Sequence, residues 1–357
     1  MVKTFQKLKA NPDLWRAYWV REAVIDAIRA YFKTHGFHEV ATPSLLPVPS
    51  TEPFLEVFQT ELKDDQGAVW PAYLPSSPEF ALKKLLSAGS GSIFEITKSF
   101  RNGEGHSGRH NPEFTILEWY ATPGNYWTVA EQFQELMIFI NKQVNQSTPM
   151  CTNGEQDVLR YQGKEYSLAA PWERISVAEA FQRFVGIDTE TMLDSEKLIA
   201  YGKQHGYQVS DRTTWEEMWN QIMANEIEPH LGVAGPTILY DYPVAQAALA
   251  RKAKDPRFAE RFEVFLAGYE LGNCFSELTD PDEQEARCLR DLAERKKLGK
   301  TEYGMDTDFI AAFRMGMPET GGIAVGVDRL AAIFADVPRI QDVLFFPSEE
   351  LFAKTES

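Results

Sequence analysis

Cysteine is scarce in this chain. There are 3 among 357 residues (Cys151, Cys274 and Cys288), with no pair at the two-residue spacing of a zinc or redox motif. That argues against a disulfide-stapled fold and a structural zinc site, and for a reducing, cytoplasmic setting. Long apolar runs are missing too. None approaches the ~20 residues of a membrane-spanning helix. The opening stretch MVKTFQKLKANPDLW has lysines but no apolar core, so no secretory signal is expected. Positive charge is in deficit: 36 Lys and Arg against 52 Asp and Glu leave a formal net charge of −16. A chain of that sign is poorly suited to general attraction for nucleic acid, although a local basic patch stays compatible with it. Neither a Walker loop nor a Rossmann fingerprint is present. What is there is ordinary for a globular protein: 44% apolar and 25% charged residues, on a chain long enough for a large core.

The spacing predicts a helix over residues 13–34, with Val20, Val24, Ala27, Ile28 and Tyr31 on one face and His35-Gly36 as its end. FHEVATP follows as a short strand closed by Pro43. SSPEFALKKLLSAG reads as a helix start, with Ser76 or Ser77 as N-cap and Pro78 in the first turn. GSIFEITKSFR alternates as a strand, and residues 127–144 form a further helix. Residues 145–235 mix a hairpin near VLRYQGKEYSL with helices at ISVAEAFQRFV and TTWEEMWNQIMANEI. They read as a helical insertion that supplies packing surface. TILYDYPVA is a strand. With no repeat and no low-complexity linker, residues 1–357 are expected to form one α+β domain, an antiparallel sheet flanked by helices.

Three stretches carry chemistry. FRNGEGHSGRHNPEFTILEWY, residues 100–120, is a charged, glycine-punctuated loop followed by a strand. Phe114, Ile116, Glu118 and Tyr120 share one face; Thr115, Leu117 and Trp119 share the other. Both sets hold large apolar residues, so both faces should be covered, and Glu118 then needs a cation that the strand itself does not supply. In RFEVFLAGYELGNCFSEL, residues 261–278, a two-residue turn at Ala267-Gly268 pairs residue 266 with 269, 265 with 270 and 263 with 272. Glu263 and Glu270 become diagonal neighbours able to share a hard divalent ion, or else form a solvated polar face. Glu277 has the opposite parity and would join them only through a bulge near Gly272. In TGGIAVGVDRLAAIFAD, residues 320–336, a strand runs into Gly326. A helix follows with Asp328 and Arg329 in its first turn, either an anion site or plain strand–helix packing.

Taken in order, these stretches resemble motifs 1, 2 and 3 of the class II aminoacyl-tRNA synthetases. SSPEF, HNPEFTILEWY and ELGNCFSELTD resemble the lysyl branch, and the likeness runs from about Leu14 to Phe346. Motif 1 begins near residue 15, which leaves no room before it for an anticodon-binding barrel. YPVAQAALA and Ala324, where lysyl-tRNA synthetases have glycine, resemble the free-standing paralogues that attach (R)-β-lysine to a lysine of translation elongation factor P. The resemblance implies ATP and Mg²⁺ as cofactors, a homodimer built on motif 1 and Pro43, and no membrane partner. It implies lysine or β-lysine as substrate, elongation factor P as acceptor and tRNA as a poor one. It implies that Arg101 bridges the α-phosphate and the substrate carboxylate. Asn102, Glu104, His110 and Asn111 line the adenine side, Phe114 stacks on the ring, and Leu271 and Gly326 line the nucleotide site. Arg329 holds the γ-phosphate, and Glu263 and Glu270 carry Mg²⁺. Ser77, Pro78, Glu79, Glu118, Tyr120, Asn273, Glu277 and Ala324 line a pocket for a diamine. The sequence departs from the family at Gly103, an additional loop residue, and at Cys274, where the family has glycine. The thiol there either tightens the pocket or acts as a small buried hydrophobe. Two other readings stand: a truncated lysyl-tRNA synthetase that charges tRNA, or a synthetase-like protein that binds a partner without catalysis.

Overall fold

The computed structural model describes residues 2–104, 107–147 and 157–353, so Cys151 lies outside the described residues. Eight strands make the main sheet. They are β1 (His38–Glu39), β2 (Ile93–Phe100), β3 (Glu113–Ala121), β4 (Glu173–Ser176), β5 (Thr237–Pro243), β6 (Phe258–Leu266), β7 (Tyr269–Ser276) and β8 (Gly321–Gly326). Their spatial order is β1–β2–β3–β8–β7–β6–β5–β4. The six central strands pair antiparallel, as expected. The outermost pair at each end, β1 with β2 and β4 with β5, is parallel, which makes the sheet mixed. β1 and β4 enter from long connections, so no hairpin constrains their direction.

One face of the sheet is sealed by three helices: α1 (Trp15–Thr34), α3 (Tyr126–Ser147) and α6 (Val327–Phe334). α1 buries the five residues picked out by their helical spacing, and Gly36 just beyond it takes the left-handed conformation. Its Phe32 lies 4.9 Å from the Phe94 ring and 5.1 Å from Trp119, which anchors the helix over β2 and β3. The other face is only partly covered. Here α2 (Glu79–Ser87), α4 (Pro281–Lys297) and α5 (Thr307–Gly316) build a smaller apolar cluster beside a polar floor. Phe80 of α2 stacks on Phe309 of α5 at 3.8 Å between centroids. This pins α2 so that its first turn overhangs the sheet.

The region expected as a helical insertion does more than add packing surface. Its β4 extends the main sheet, and its helices form their own core, with Phe181, Met218, Trp219 and Ile222 packed on Leu239, Tyr242 and Phe265 of the sheet. The strand expected at FHEVATP is short, just His38–Glu39.

Candidate active site

A single irregularity organises the polar floor. Leu266 pairs with Tyr269 and Phe265 with Glu270, as the turn at Ala267-Gly268 dictates, but Val264 then pairs with Gly272 and Glu263 with Asn273. One residue of β7, Leu271, is extra, so the expected pairing of 263 with 272 is corrected by a β-bulge. The bulge inverts parity along β7. Glu270 before it, and Asn273 and Phe275 after it, all face the side of Glu263, and the same parity carries Glu277 there. Leu271 and Cys274 turn to the opposite face, into the main core. Leu271 can therefore meet a ligand only through its backbone, and Cys274 is a buried small hydrophobe rather than a pocket-tightening thiol.

Register then assembles the pocket across three strands. Asn273 pairs with Ala324, and Ala324 with Glu118; Phe275 pairs with Gly322, and Gly322 with Tyr120. Glu118 is 1% exposed. Its two oxygens accept from the Ser77 hydroxyl and, at 3.0 Å, from the Tyr120 hydroxyl, and both donors are uncharged. Burial, and then the nearby charge of Glu79, push its carboxyl up to about 8. Ser77 also accepts the Glu79 backbone N–H at 3.0 Å, so it satisfies the first donor of α2 while touching Glu118. Pro78 itself takes the N-cap position, one residue later than Ser77, so it stands before the first turn and not in it. Ser76, the other candidate cap, pairs instead with Ser50.

Lys83, one turn after Glu79, is fully buried. Its ammonium lies 2.6 Å from Glu79 Oε1 and 2.6 Å from Glu277 Oε2. Burial opposes this charge, but Glu277 and Glu79 outweigh it and hold Lys83 above its ordinary value. Glu277 is pushed up to about 7 by burial, with Lys83 pulling it down and Glu79 pushing it up. Gly322 floors the pocket, and any Cβ there would run into Glu277 Oε1 and the Tyr120 ring.

The opposite end of the floor carries cations. Arg101 follows β2, with its guanidinium carbon 5.1 Å from the centre of the Phe114 ring and 3.7 Å between Nη1 and Glu104 Oε1. Its buried Nε has no hydrogen-bond partner among the described residues. A buried, unsatisfied guanidinium donor is what an anionic ligand would satisfy. Arg329, in the first turn of α6 after Gly326, donates to the Glu270 backbone carbonyl at 2.6 Å and lies 3.2 Å from His110 Nε2. Burial and Arg329 together lower the His110 pKa. Asn102 is tied into a bridge with Glu56, and its side-chain oxygen accepts the Gly103 N–H of its own loop. Asn111 is committed elsewhere: its Oδ1 accepts from Ser348 N and Oγ, and its Nδ2 donates to Glu113 O. It holds the loop rather than offering a free amide. Gly103 takes a positive φ of 75° that suits its lack of a side chain.

Glu263 and Glu270 lie on one face, as the metal reading requires. Glu263 accepts from Arg261 and, at 2.7 Å, from the Tyr242 hydroxyl. Glu270 lies 3.8 Å from Arg329, and burial followed by the Glu263 charge pushes it up to about 7. Two carboxylates on one face, with the Glu263 charge raising Glu270, suit a hard divalent cation completed by phosphate oxygens. No group of three or more His, Cys, Asp or Glu able to hold a metal occurs among the described residues.

The structure thus gathers Ser77, Glu79, Glu118, Tyr120, Asn273, Glu277 and Ala324 at one end, and Arg101, Glu104, His110, Phe114 and Arg329 at the other. Sequence reasoning missed Lys83, Arg261, Tyr242 and Gly322. Lys83 and Glu79 stand at i and i+4, a spacing that would have flagged the pair. Nothing local marks the other three.

Comparison with known proteins identifies the family. A family model described as tRNA synthetases class II (D, K and N) matches residues 3–350. The lysine–tRNA ligase of Moorella thermoacetica is 34% identical over 345 residues, 96% of this chain and 67% of that protein. Those of Bacillus subtilis and Chloroflexus aurantiacus are 34% and 35% identical over 344 residues, 95% of this chain and 65% and 66% of theirs. This chain spans about two thirds of the length of these relatives. Among the described residues no helix is long and apolar enough to cross a membrane. The chain belongs to the class II tRNA synthetases of the D, K and N group, as a lysyl-tRNA synthetase-like ligase.

Proposed function

We propose that this protein activates a diamino acid, lysine or (R)-β-lysine, as its adenylate and passes the acyl group to a lysine side chain of translation elongation factor P in the cytoplasm. The observation that carries the activation step is Glu118: a buried carboxylate with hydroxyl donors and, among the described residues, no cation in contact, at the opposite end of the floor from two arginines. At ~3.4 Å per residue, β3 puts Glu118 about 14 Å from Phe114, a span suited to an adenylate with its base on the ring and its ammonium at Glu118.

The substrate carboxylate oxygen attacks the α-phosphorus of ATP; the new P–O bond forms as the bond to the β-phosphate breaks, and pyrophosphate leaves. Two anions must be brought together, so positioning and charge neutralisation supply most of the acceleration. Arg101 holds the carboxylate against the α-phosphate, with its unsatisfied Nε available to an oxygen. Arg329 holds the γ-phosphate, and His110, kept neutral beside it, leaves that positive charge to the nucleotide. Glu104 faces the adenine side, with Asn102, Asn111 and Gly326 shaping the loop and strand end around it. Glu270 and Glu263 would hold Mg²⁺, which when bound offsets phosphate charge. In the second step the acceptor lysine amine attacks the acyl carbonyl, an amide forms, AMP leaves, and the amine loses a proton.

Two features favour a protein acceptor over tRNA. The net charge of −16 weakens long-range attraction for a polyanion. Ala324 places its methyl in the pocket row, between Glu118 and Asn273. Such a methyl is worth ~1–3 kcal/mol of discrimination, so Ala324→Gly should shift preference from β-lysine toward α-lysine without abolishing activity. The test offers labelled substrate, ATP, total tRNA and elongation factor P together. Mass added to a lysine of the protein is expected. Label in RNA released by mild base, with none on protein, would replace this reading with a tRNA-charging enzyme. Absence of pyrophosphate exchange with either lysine isomer would replace it with a non-catalytic binding protein.

A further inference from the structure

Lys83 stands in the middle of the proposed amino-acid pocket without touching either arginine. Its side chain is fully buried at 0% exposure, a place where an ammonium persists only with anionic partners on more than one side. Those partners come from two different layers: Glu79 from its own helix α2, and Glu277 from just beyond β7. Each carboxylate gives it one oxygen, Glu79 Oε1 and Glu277 Oε2. The second oxygen of Glu277, Oε1, hangs over Gly322, where the missing Cβ leaves room. Glu118 is treated differently, meeting hydroxyl donors alone among the described residues. Glu95, opposite Glu118 in the register, is held by the Thr42 N–H and hydroxyl at 2.8 and 2.9 Å. The carboxylates at the amino-acid end of this face therefore fall into three states: Glu95 occupied by Thr42, Glu79 and Glu277 half-occupied by Lys83, and Glu118 with no cation in contact among the described residues.

We propose that Lys83 is a positioning residue of the amino-acid pocket, an internal ammonium that takes one oxygen from each of Glu79 and Glu277 and turns the other toward the ammonium groups of a diamino acid. The inference rests on the reading of that pocket given above. It makes recognition of the substrate depend on a link between α2 and the sheet. Without the ammonium, Glu79 and Glu277 repel one another or take up protons, and either response withdraws an acceptor from the ligand.

The experiment measures pyrophosphate exchange into ATP with lysine, with β-lysine and with 2-aminohexanoic acid, which matches lysine but lacks the distal ammonium. Lys83→Met is close in volume and uncharged. It should raise KM for the diamino acids at least about tenfold, as expected for lost charge-assisted contacts. KM for ATP should stay within about twofold, and the preference for lysine over 2-aminohexanoic acid should narrow. Lys83→Gln keeps a donor and should fall between wild type and Lys83→Met; it carries the comparison if the methionine variant does not fold, as judged by thermal melts. A folded variant with unchanged KM for lysine overturns the inference, and so does an equal rise of both KM values, the mark of a general scaffold. Failure of both variants to fold also overturns it, since Lys83 is then a folding counterion. A wild-type protein giving no exchange with any of the three overturns the pocket reading itself, and this inference with it.

Discussion

Glu118 shows how a single residue couples stability to binding. Its carboxyl is raised above the ordinary range, so between about pH 4.5 and 8 the folded, ligand-free protein binds a proton that the unfolded chain has released. Stability must then fall as pH rises through that window, by at most ~1.4 kcal/mol per pH unit for this one group. Lys83, held above its ordinary value by its partners, contributes no slope there because it is charged in both states. Thermal melts of ligand-free protein should therefore show a melting temperature that falls from pH 5.5 to 8.5, with Glu118→Gln flattening the trend. Diamine affinity should run the other way and tighten as pH rises toward 8, because the ligand needs the ionised carboxylate; calorimetric titration of lysine at several pH values reads this directly. Glu270 makes a second residue-scale case. Glu270→Gln removes a carboxylate from beside Glu263 and should cut pyrophosphate exchange by orders of magnitude at fixed Mg²⁺. Near-normal exchange by that variant would remove the metal assignment.

At the scale of elements, the pocket depends on β7 being irregular. Without the extra Leu271, Asn273 and Glu277 would point into the main core and Cys274 would occupy the floor. The bulge is thus the device that lets one hairpin supply both the carboxylate proposed to hold the metal and one proposed to face the amino acid. β8 contributes differently, through what it lacks. Gly322→Ala would force its methyl against Glu277 and Tyr120, a clash worth about 1–3 kcal/mol of destabilisation. The expected outcome is a lower melting temperature with KM for lysine rising far more than KM for ATP. Equal KM values for mutant and wild type would mean that the strand can shift to absorb the methyl. α2 completes the set, since the Phe80–Phe309 stack fixes the helix start that carries Glu79 and, one turn on, Lys83.

For the whole molecule, one face of the sheet is sealed by helices while the other is left for chemistry. That division follows from α1, α3 and α6 carrying apolar stripes long enough to cover the central strands. Beyond this core, α1 begins in an aromatic cluster that is partly open: Trp15 stacks on Trp19 at 5.1 Å and Tyr18 on Phe345 at 4.2 Å, with Trp19 and Phe345 about half exposed. A homodimer that covers this end of motif 1 is the expected assembly, and light scattering at micromolar concentration should give twice the mass of the chain. A monomer would leave this surface and Pro43 without the role assigned to them. The C-terminal segment adds a brace, with Ser348 on Asn111 and Gln341 on the His110 carbonyl, so the charged loop is held from outside the sheet.

Period and punctuation make much of this legible in the amino-acid sequence alone. The 3.6-residue spacing of Val20, Val24 and Ile28, the alternation through Glu118 and the turn at Ala267-Gly268 are local patterns, and local patterns survive into the fold because they are set by backbone geometry. The two arginines and the glutamates are likewise readable as residue types that suit anions and ammonium groups. Only tertiary structure decided which of them meet. A one-residue bulge beside Gly272 inverted parity and brought Glu277 to Glu270's face, an alternative that the sequence left open and alternation alone could not choose. Lys83 looks like a surface lysine in KKLL until α2 docks against the sheet and buries it between two carboxylates. Asn111 looks like a free polar side chain until Ser348, 237 positions later, claims its oxygen. In each case the deciding contact joins distant segments, and its energy does not exist until they are packed together.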